Sequence, residues 1–176
     1  MANNCLFDMR ISGNRENALE LIKMMQWKGE YEHNGLGRIF SCETPYKFEE
    51  YKDGYGHIDV FGDCAWSVLC AMMAGYREIS LESETKRLHL VVEVYSSEPG
   101  CCFQEHFVID RGCVLTSECV DYEEHWVSGY DSLEAYNKDN ETNFTEDMIN
   151  ESGDICIGGF GDRYMNWEYF GKEHFV

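Results

Sequence analysis

The sequence predicts an α+β fold in which one antiparallel sheet carries its helices on one face. Apolar segments of strand length alternate with a segment of helical spacing in the first part of the chain. Three apolar segments between residues 88 and 127 are joined by short turns, which is typical of an antiparallel meander. Hydrophobic residues make up 44% of the 176 residues, which is enough to form a core.

The chain begins with a predicted strand followed by a predicted helix. Cys5–Ile11 is rich in apolar residues, and the turn after it ends at Asn14, a residue type that caps helices. The next apolar residues fall at the spacing of one buried helical stripe, at Ala18, Leu19, Ile22 and Met25. We expect this helix to end near Gly29.

The middle of the chain predicts two more strands and a second helix. Residues 38–43 are interpreted as a short strand, and residues 45–54 as a charged, aromatic loop. Gly56–Gly62 alternates as a strand does, and Asp63 is predicted to cap a helix that ends at Gly75.

The meander is predicted from residues 88–95, 103–109 and 114–127. The turn signals are Glu98-Pro99-Gly100 and Arg111-Gly112. Together with the preceding elements, this order is typical of a ferredoxin-like split βαβ arrangement over residues 1–127.

Residues 128–176 form a predicted acidic, aromatic-rich C-terminal extension packed on that core. Between Asp131 and Asp154 there are eight acids and one base, Lys138. Residues 132–137 and 145–149 are interpreted as short helical segments, and residues 155–160 as a closing strand. The aromatic tail, residues 164–170, is predicted to pack back on the core.

The strongest functional signal is the charge. Asp and Glu number 33 against 14 Lys and Arg, which gives a formal net charge of −19. Such a field repels nucleic acid and anionic membranes and speeds association with basic partners. We therefore expect a basic, nucleic-acid-binding protein as the partner. The alternative is an acidic surface without a target.

The candidate partner-binding residues are acids, together with an aromatic anchor. Carboxylates can occupy arginines that otherwise bind phosphates, and exposed aromatics supply much of the binding energy at interfaces. The predicted residues are Glu118, Asp121, Glu123, Glu124, Trp126, Glu141, Glu146, Asp147, Glu151 and Asp154. Tyr122, Tyr130 and Tyr136 are further candidate anchors.

A small enzyme is the alternative function. Cys102 and His106 share a strand face and are a candidate nucleophile–base pair. His57, Asp59 and Asp63 are a candidate metal site. The chain has no nucleotide, dinucleotide or zinc-protease motif, so we predict no cofactor. It also has no apolar run of about 20 residues and no signal peptide, which favours the cytoplasm.

Four segments carry a family resemblance: residues 1–14 (MANNCLFDMRISGN), residues 62–68 (GDCAWSV), residues 93–100 (EVYSSEPG) and residues 103–106 (FQEH). They resemble the YubB-like ferredoxin-fold family of phage and mobile-element proteins. The resemblance covers about residues 1–127 and implies a split βαβ fold, a mobile-element origin and a bacterial host cytoplasm. It implies no defined catalytic motif.

By charge and size the chain also resembles anti-CRISPR proteins. That resemblance implies an inhibitor of a host CRISPR effector nuclease, whose heteroduplex lies in a positively charged channel. The expected function is therefore non-enzymatic inhibition through the basic DNA-binding surface of such an enzyme. A regulatory interaction protein with incidental charge is a third possibility.

Overall fold

The computed structural model describes residues 3–26, 35–75, 78–167 and 169. The fold is α+β. Its elements in chain order are β1 (Asn4–Asn14), α1 (Arg15–Met25), β2 (Ile39–Glu43), β3 (Glu49–Lys52), β4 (Tyr55–Ala65), α2 (Val68–Met72), α3 (Leu81–Leu88), β5 (Val91–Glu98), β6 (Phe103–Asp110), β7 (Cys113–His125), α4 (Leu133–Asn140) and β8 (Ile155–Gly158). Within the described part of the chain, no helix has the length and apolar character needed to cross a bilayer.

The strands form one open, antiparallel sheet. Its order is β2-β4-β1-β5-β6-β7-β8, and β3 pairs with the other end of β4. β1 lies between β4 and β5 and runs antiparallel to both, so that Leu6 has Asp63 on one side and Ser97 on the other. The hairpin β6–β7 closes with Arg111 and Gly112, both at positive φ, as a tight two-residue turn requires.

One face of the sheet carries the main hydrophobic core. Alternate residues of β1 (Cys5, Phe7, Met9 and Ile11) are fully buried on this face and belong to one cluster with residues of α1, α2 and α3. Asn14 begins α1, because its side chain accepts a hydrogen bond from the Glu16 N–H at 2.9 Å. We call this side of the sheet the helix face.

The opposite side of the sheet, which we call the polar face, carries charged groups on its central strands. These are Asp8, Arg10, Asp59, Glu93 and His106, which alternate with the core residues. Aromatic residues that follow β8 lie over this face. The rings of Phe160, Tyr164 and Trp167 stand 5.8, 5.4 and 5.5 Å from the ring of Tyr95.

The prediction that Asp63 caps a helix is wrong. Asp63 lies within β4, where it pairs with Leu6 and accepts a hydrogen bond from the Ser41 hydroxyl. The cap is Ser67, whose side chain accepts from the Cys70 N–H, and the helix that follows is only five residues long. Pairing with β1 therefore extends the strand beyond Gly62.

Two further elements differ from the sequence prediction. Helix α3 was not predicted, and it displaces the start of the following strand from Leu88 to Val91. Ser80 and Ser83 form a capping box at its start, and its last residue is followed by His89 in the left-handed conformation. Within the predicted loop 45–54, residues 49–52 form β3. Helix α1 ends at Met25, before the predicted end at Gly29, which lies outside the described residues.

Candidate interaction surface

The acidic residues singled out from the sequence lie on β7 and in the segment between β7 and β8. We call this set the acidic surface. Glu118, Asp121, Glu123 and Glu124 belong to β7, and Trp126 follows directly. Glu141 directly follows α4, Glu146 and Asp147 lie in a 3-10 turn, and Glu151 and Asp154 precede β8. All are exposed except Glu118 and Asp154, which are partly buried.

The structure brings three of these residues together around one cavity. Glu124, Trp126 and Asp154 line a space of about 220 Å³, together with Asn150, Ser152, Ile155 and Cys156. The cavity forms because β8 pairs with the end of β7, opposite Glu124. Trp126 is 69% exposed beside two carboxylates, which is an arrangement suited to a cationic partner.

Hydrogen bonds favour the charged form of two of the acids. The Ser128 backbone N–H donates to Asp154 at 3.0 Å and lowers the pKa of that carboxyl. The Thr145 side chain does the same for Asp147. In both cases the bond stabilises the charged form, so these residues carry fixed negative charges at neutral pH.

Other members of the set point away from each other. Successive side chains of β7 alternate between faces, so Glu118 and Glu124 lie on the polar face, whereas Asp121 and Glu123 lie on the opposite side. Glu118 is paired with Arg163 at 2.9 Å, and a carboxylate oxygen of Glu123 lies 3.5 Å from His125. The acidic surface therefore wraps around one edge of the sheet.

Only two of the four predicted aromatic anchors are exposed. Tyr122 and Tyr136 are 4% and 6% exposed, so they are core residues and not anchors. Tyr136 belongs to a small second core with Val127, Leu133 and Ile155, and its hydroxyl is 2.9 Å from His125 Nδ1. Trp126 and Tyr130 remain exposed. The second core holds the segment between β7 and β8 in place.

The alternative thiol site is not assembled. His106 Nε2 is hydrogen-bonded to Glu93 Oε1 at 2.9 Å, and its ring stacks on Tyr95 at 4.1 Å. The Cys102 thiol donates to the Pro99 carbonyl at 3.4 Å. The two residues predicted to work as nucleophile and base therefore have different partners.

The alternative metal site is not assembled either. Asp59 forms two hydrogen bonds of 2.7 Å with Arg10, Asp63 is held by Ser41, and His57 Nδ1 is bonded to the Tyr51 hydroxyl. Within the described ranges, no group of three or more His, Cys, Asp or Glu side chains is placed to hold a metal ion.

Sequence reasoning missed two buried carboxylates. Glu93 is fully buried on the polar face against His106. Glu105 is buried on the helix face, where it accepts from the backbone N–H groups of Val68 and Leu69 and from the Ser96 hydroxyl. Burial raises the pKa of Glu105. The feature of the sequence that could have identified both residues is a charged residue within an apolar segment of strand length.

In comparisons with known proteins, no family model, no curated protein and no solved structure matches the chain. The resemblance to the YubB-like family and to anti-CRISPR proteins therefore stays a prediction from the sequence.

Proposed function

We propose that this chain is a non-enzymatic binding protein that inhibits a nucleic-acid-binding enzyme by occupying its basic DNA-binding surface. The class of target we propose is a CRISPR effector nuclease. The observation that supports this proposal is the cavity at which Glu124, Asp154 and the exposed Trp126 meet, on a chain with a net charge of −19. We also propose that the protein uses no cofactor and binds neither nucleic acid directly nor a membrane.

The physical basis is charge complementarity with an aromatic anchor. Arginines that read phosphates also form strong paired hydrogen bonds with carboxylates. Glu124, Glu146 and Asp147 are exposed, and in the described part of the chain no Lys or Arg forms an ion pair with them. They are therefore available to cations of a partner.

We also propose that the described part of residues 1–127 forms a ferredoxin-like split βαβ core and that the chain is of phage or mobile-element origin, acting in the host cytoplasm. The strand order supports the first point, because β1 separates β4 from β5 and α1 connects β1 to β2 across β4. The origin is supported only by the resemblance of the sequence.

Charge reversal tests the proposed surface. Replacing Glu123, Glu124, Glu146 and Asp147 by lysine is expected to weaken binding to a purified effector nuclease by about 100-fold or more, because attraction becomes repulsion. Binding is measured by titration, and inhibition by cleavage of target DNA. Added salt is expected to weaken the wild-type complex, since exposed charges are screened.

The matched control reverses four exposed acids elsewhere on the chain. Glu16, Glu43, Glu49 and Glu78 lie on α1, on β2, on β3 and before α3. Their replacement by lysine gives the same net charge and is expected to retain most of the binding. Equal loss in both variants would show that only net charge matters, and full binding by the first variant would exclude the acidic surface.

A capture experiment identifies the target. The tagged chain is used to recover proteins from a nuclease-treated bacterial lysate that contains CRISPR effectors. Enrichment of one basic nucleic-acid enzyme, lost with the first lysine variant and kept with the control, is the expected result. Recovery of no partner at low salt would contradict the proposal.

A further inference from the structure

A second cavity lies on the polar face, away from the acidic surface. Its volume is about 210 Å³, and it is lined by Asp8, Tyr46, Asp59, Val60, Phe61, Met165 and Trp167. These residues come from β1, β4, the loop before β3 and the segment after β8. Two carboxylates thus stand among three aromatic rings and a methionine.

The aromatic side chains leave the cavity open to a partner. The exposed fractions of Tyr46, Phe61 and Met165 are 66%, 40% and 43%. Large apolar groups exposed side by side around a polar centre are typical of binding sites, where they exclude water from the central contact.

One cation of the chain itself, the Arg10 side chain, already contacts two residues that line this cavity. The Arg10 guanidinium lies 5.1 Å from the centre of the Trp167 ring and forms paired hydrogen bonds with Asp59. The site therefore stabilises a guanidinium both through a ring face and through a carboxylate. Arg10 and Asp59 cancel each other's charge, so the negative charge that remains at the cavity is that of Asp8.

Asp8 lacks a strong partner among the described residues. Its one hydrogen bond there comes from the Tyr164 hydroxyl at 3.4 Å, which is long for a charged acceptor. Burial, and the neighbouring Asp59, raise the pKa of Asp8. A cation in the cavity would stabilise the ionised carboxylate that burial otherwise penalises.

We propose that this cavity binds an arginine side chain of the basic partner protein, with its guanidinium between Asp8 and the aromatic rings. A planar guanidinium matches the site because it stacks on rings and bonds to carboxylates at the same time. The identity of the partner rests on the proposed function, but the ligand chemistry rests on the cavity alone.

The test uses a small probe and the complete chain. N-acetyl-arginine methylamide is titrated while the indole N–H signal of Trp167 is followed by NMR at constant ionic strength. A saturable shift is expected, with a dissociation constant of about 1 mM, in the range of a single side chain. The citrulline analogue, which has the same shape without the charge, is expected to produce no saturable shift.

Two variants define the site. Asp8→Asn keeps the shape and is expected to weaken arginine binding about tenfold, while it keeps the fold because the buried charge is removed. Tyr46→Ala, at an exposed position, is expected to weaken arginine binding as well. Asp139→Asn, an exposed acid of α4, is the matched control and is expected to bind like the wild type.

Equal binding of the citrulline analogue, or wild-type affinity in Asp8→Asn, would overturn the proposal. So would the absence of a saturable shift. Because no target enzyme is present, each of these results leaves the proposed inhibition untouched. Conversely, loss of target binding through the acidic surface does not change the expected binding of the probe.

Discussion

Replacing His106 by alanine is expected to lower the free energy of unfolding by about 3–5 kcal/mol, because it leaves a buried carboxylate without its partner. Glu93 is 0% exposed, and its Oε1 is 2.9 Å from His106 Nε2. Its Oε2 has no hydrogen-bond partner among the described residues. Arg10, directly across on β1, is already engaged by Asp59.

The loss is large relative to the stability of an ordinary domain, which is about 5–15 kcal/mol. The variant also removes the ring that stacks on Tyr95 with an interplanar angle of 7°. Urea unfolding followed by circular dichroism measures the change.

A double variant separates the buried charge from the loss of packing. His106→Leu combined with Glu93→Leu removes both polar groups and is expected to recover most of the stability, since both partners of a buried hydrogen bond can often be replaced by apolar residues at little cost. A loss below about 1 kcal/mol in His106→Ala would contradict the assigned role. So would a double variant no more stable than the single one.

Replacing Glu105 by alanine is expected to cost about 2–4 kcal/mol, because it leaves buried hydrogen-bond donors unsatisfied. The carboxylate accepts from the Val68 N–H at 2.7 Å, from the Ser96 hydroxyl at 2.8 Å and from the Leu69 N–H at 3.3 Å. It therefore fixes the start of α2 to β5 and β6. Urea unfolding gives the total loss.

Hydrogen exchange locates the effect of the Glu105 variant. The amides of Val68 and Leu69 are expected to exchange faster than in the wild type. Glu105→Gln keeps the volume and one acceptor oxygen, so we expect a smaller loss. Glu118→Ala, a partly exposed acid of the neighbouring strand, is the control and is expected to change stability by less than about 0.5 kcal/mol. Equal stability of the alanine and glutamine variants would contradict the role of the hydrogen bonds.

The elements predicted correctly from the sequence are those with a strong local pattern. β1 shows an apolar run, and α1 shows helical spacing after a capping asparagine. The meander was also recognisable, because its turns carry Pro99, Gly100 and Gly112. Helix α3 has few apolar residues and is stabilised by caps and charges at its ends, so hydrophobic periodicity did not reveal it.

The sites depend on register, which the local sequence does not specify. Glu93 and His106 meet because the β5–β6 hairpin places Tyr95 opposite His106 and Glu93 one step away on the same face. Asp8 and Asp59 meet across β1 and β4, which are far apart along the chain. The exposure of Glu124 follows from its charge, but the pattern that marked Trp126 also marked Tyr122 and Tyr136, which are buried. The cavity that Glu124 and Trp126 share with Asp154 required the pairing of β8.

The central place of β1 has a consequence for the order of folding. The strand nearest the N-terminus pairs with residues 55–65 on one edge and 91–97 on the other. Until residues 55–65 and 91–97 have been synthesised, the nascent chain holds β1 as an apolar strand with one or both edges unpaired. Contacts of such long sequence separation are typical of slow folders, because long loops must close before the strands pair. During synthesis, β1 is thus made before both of its partners, and one of its edges stays open until residues 91–97 have followed. Shielding by a chaperone would matter most in that interval.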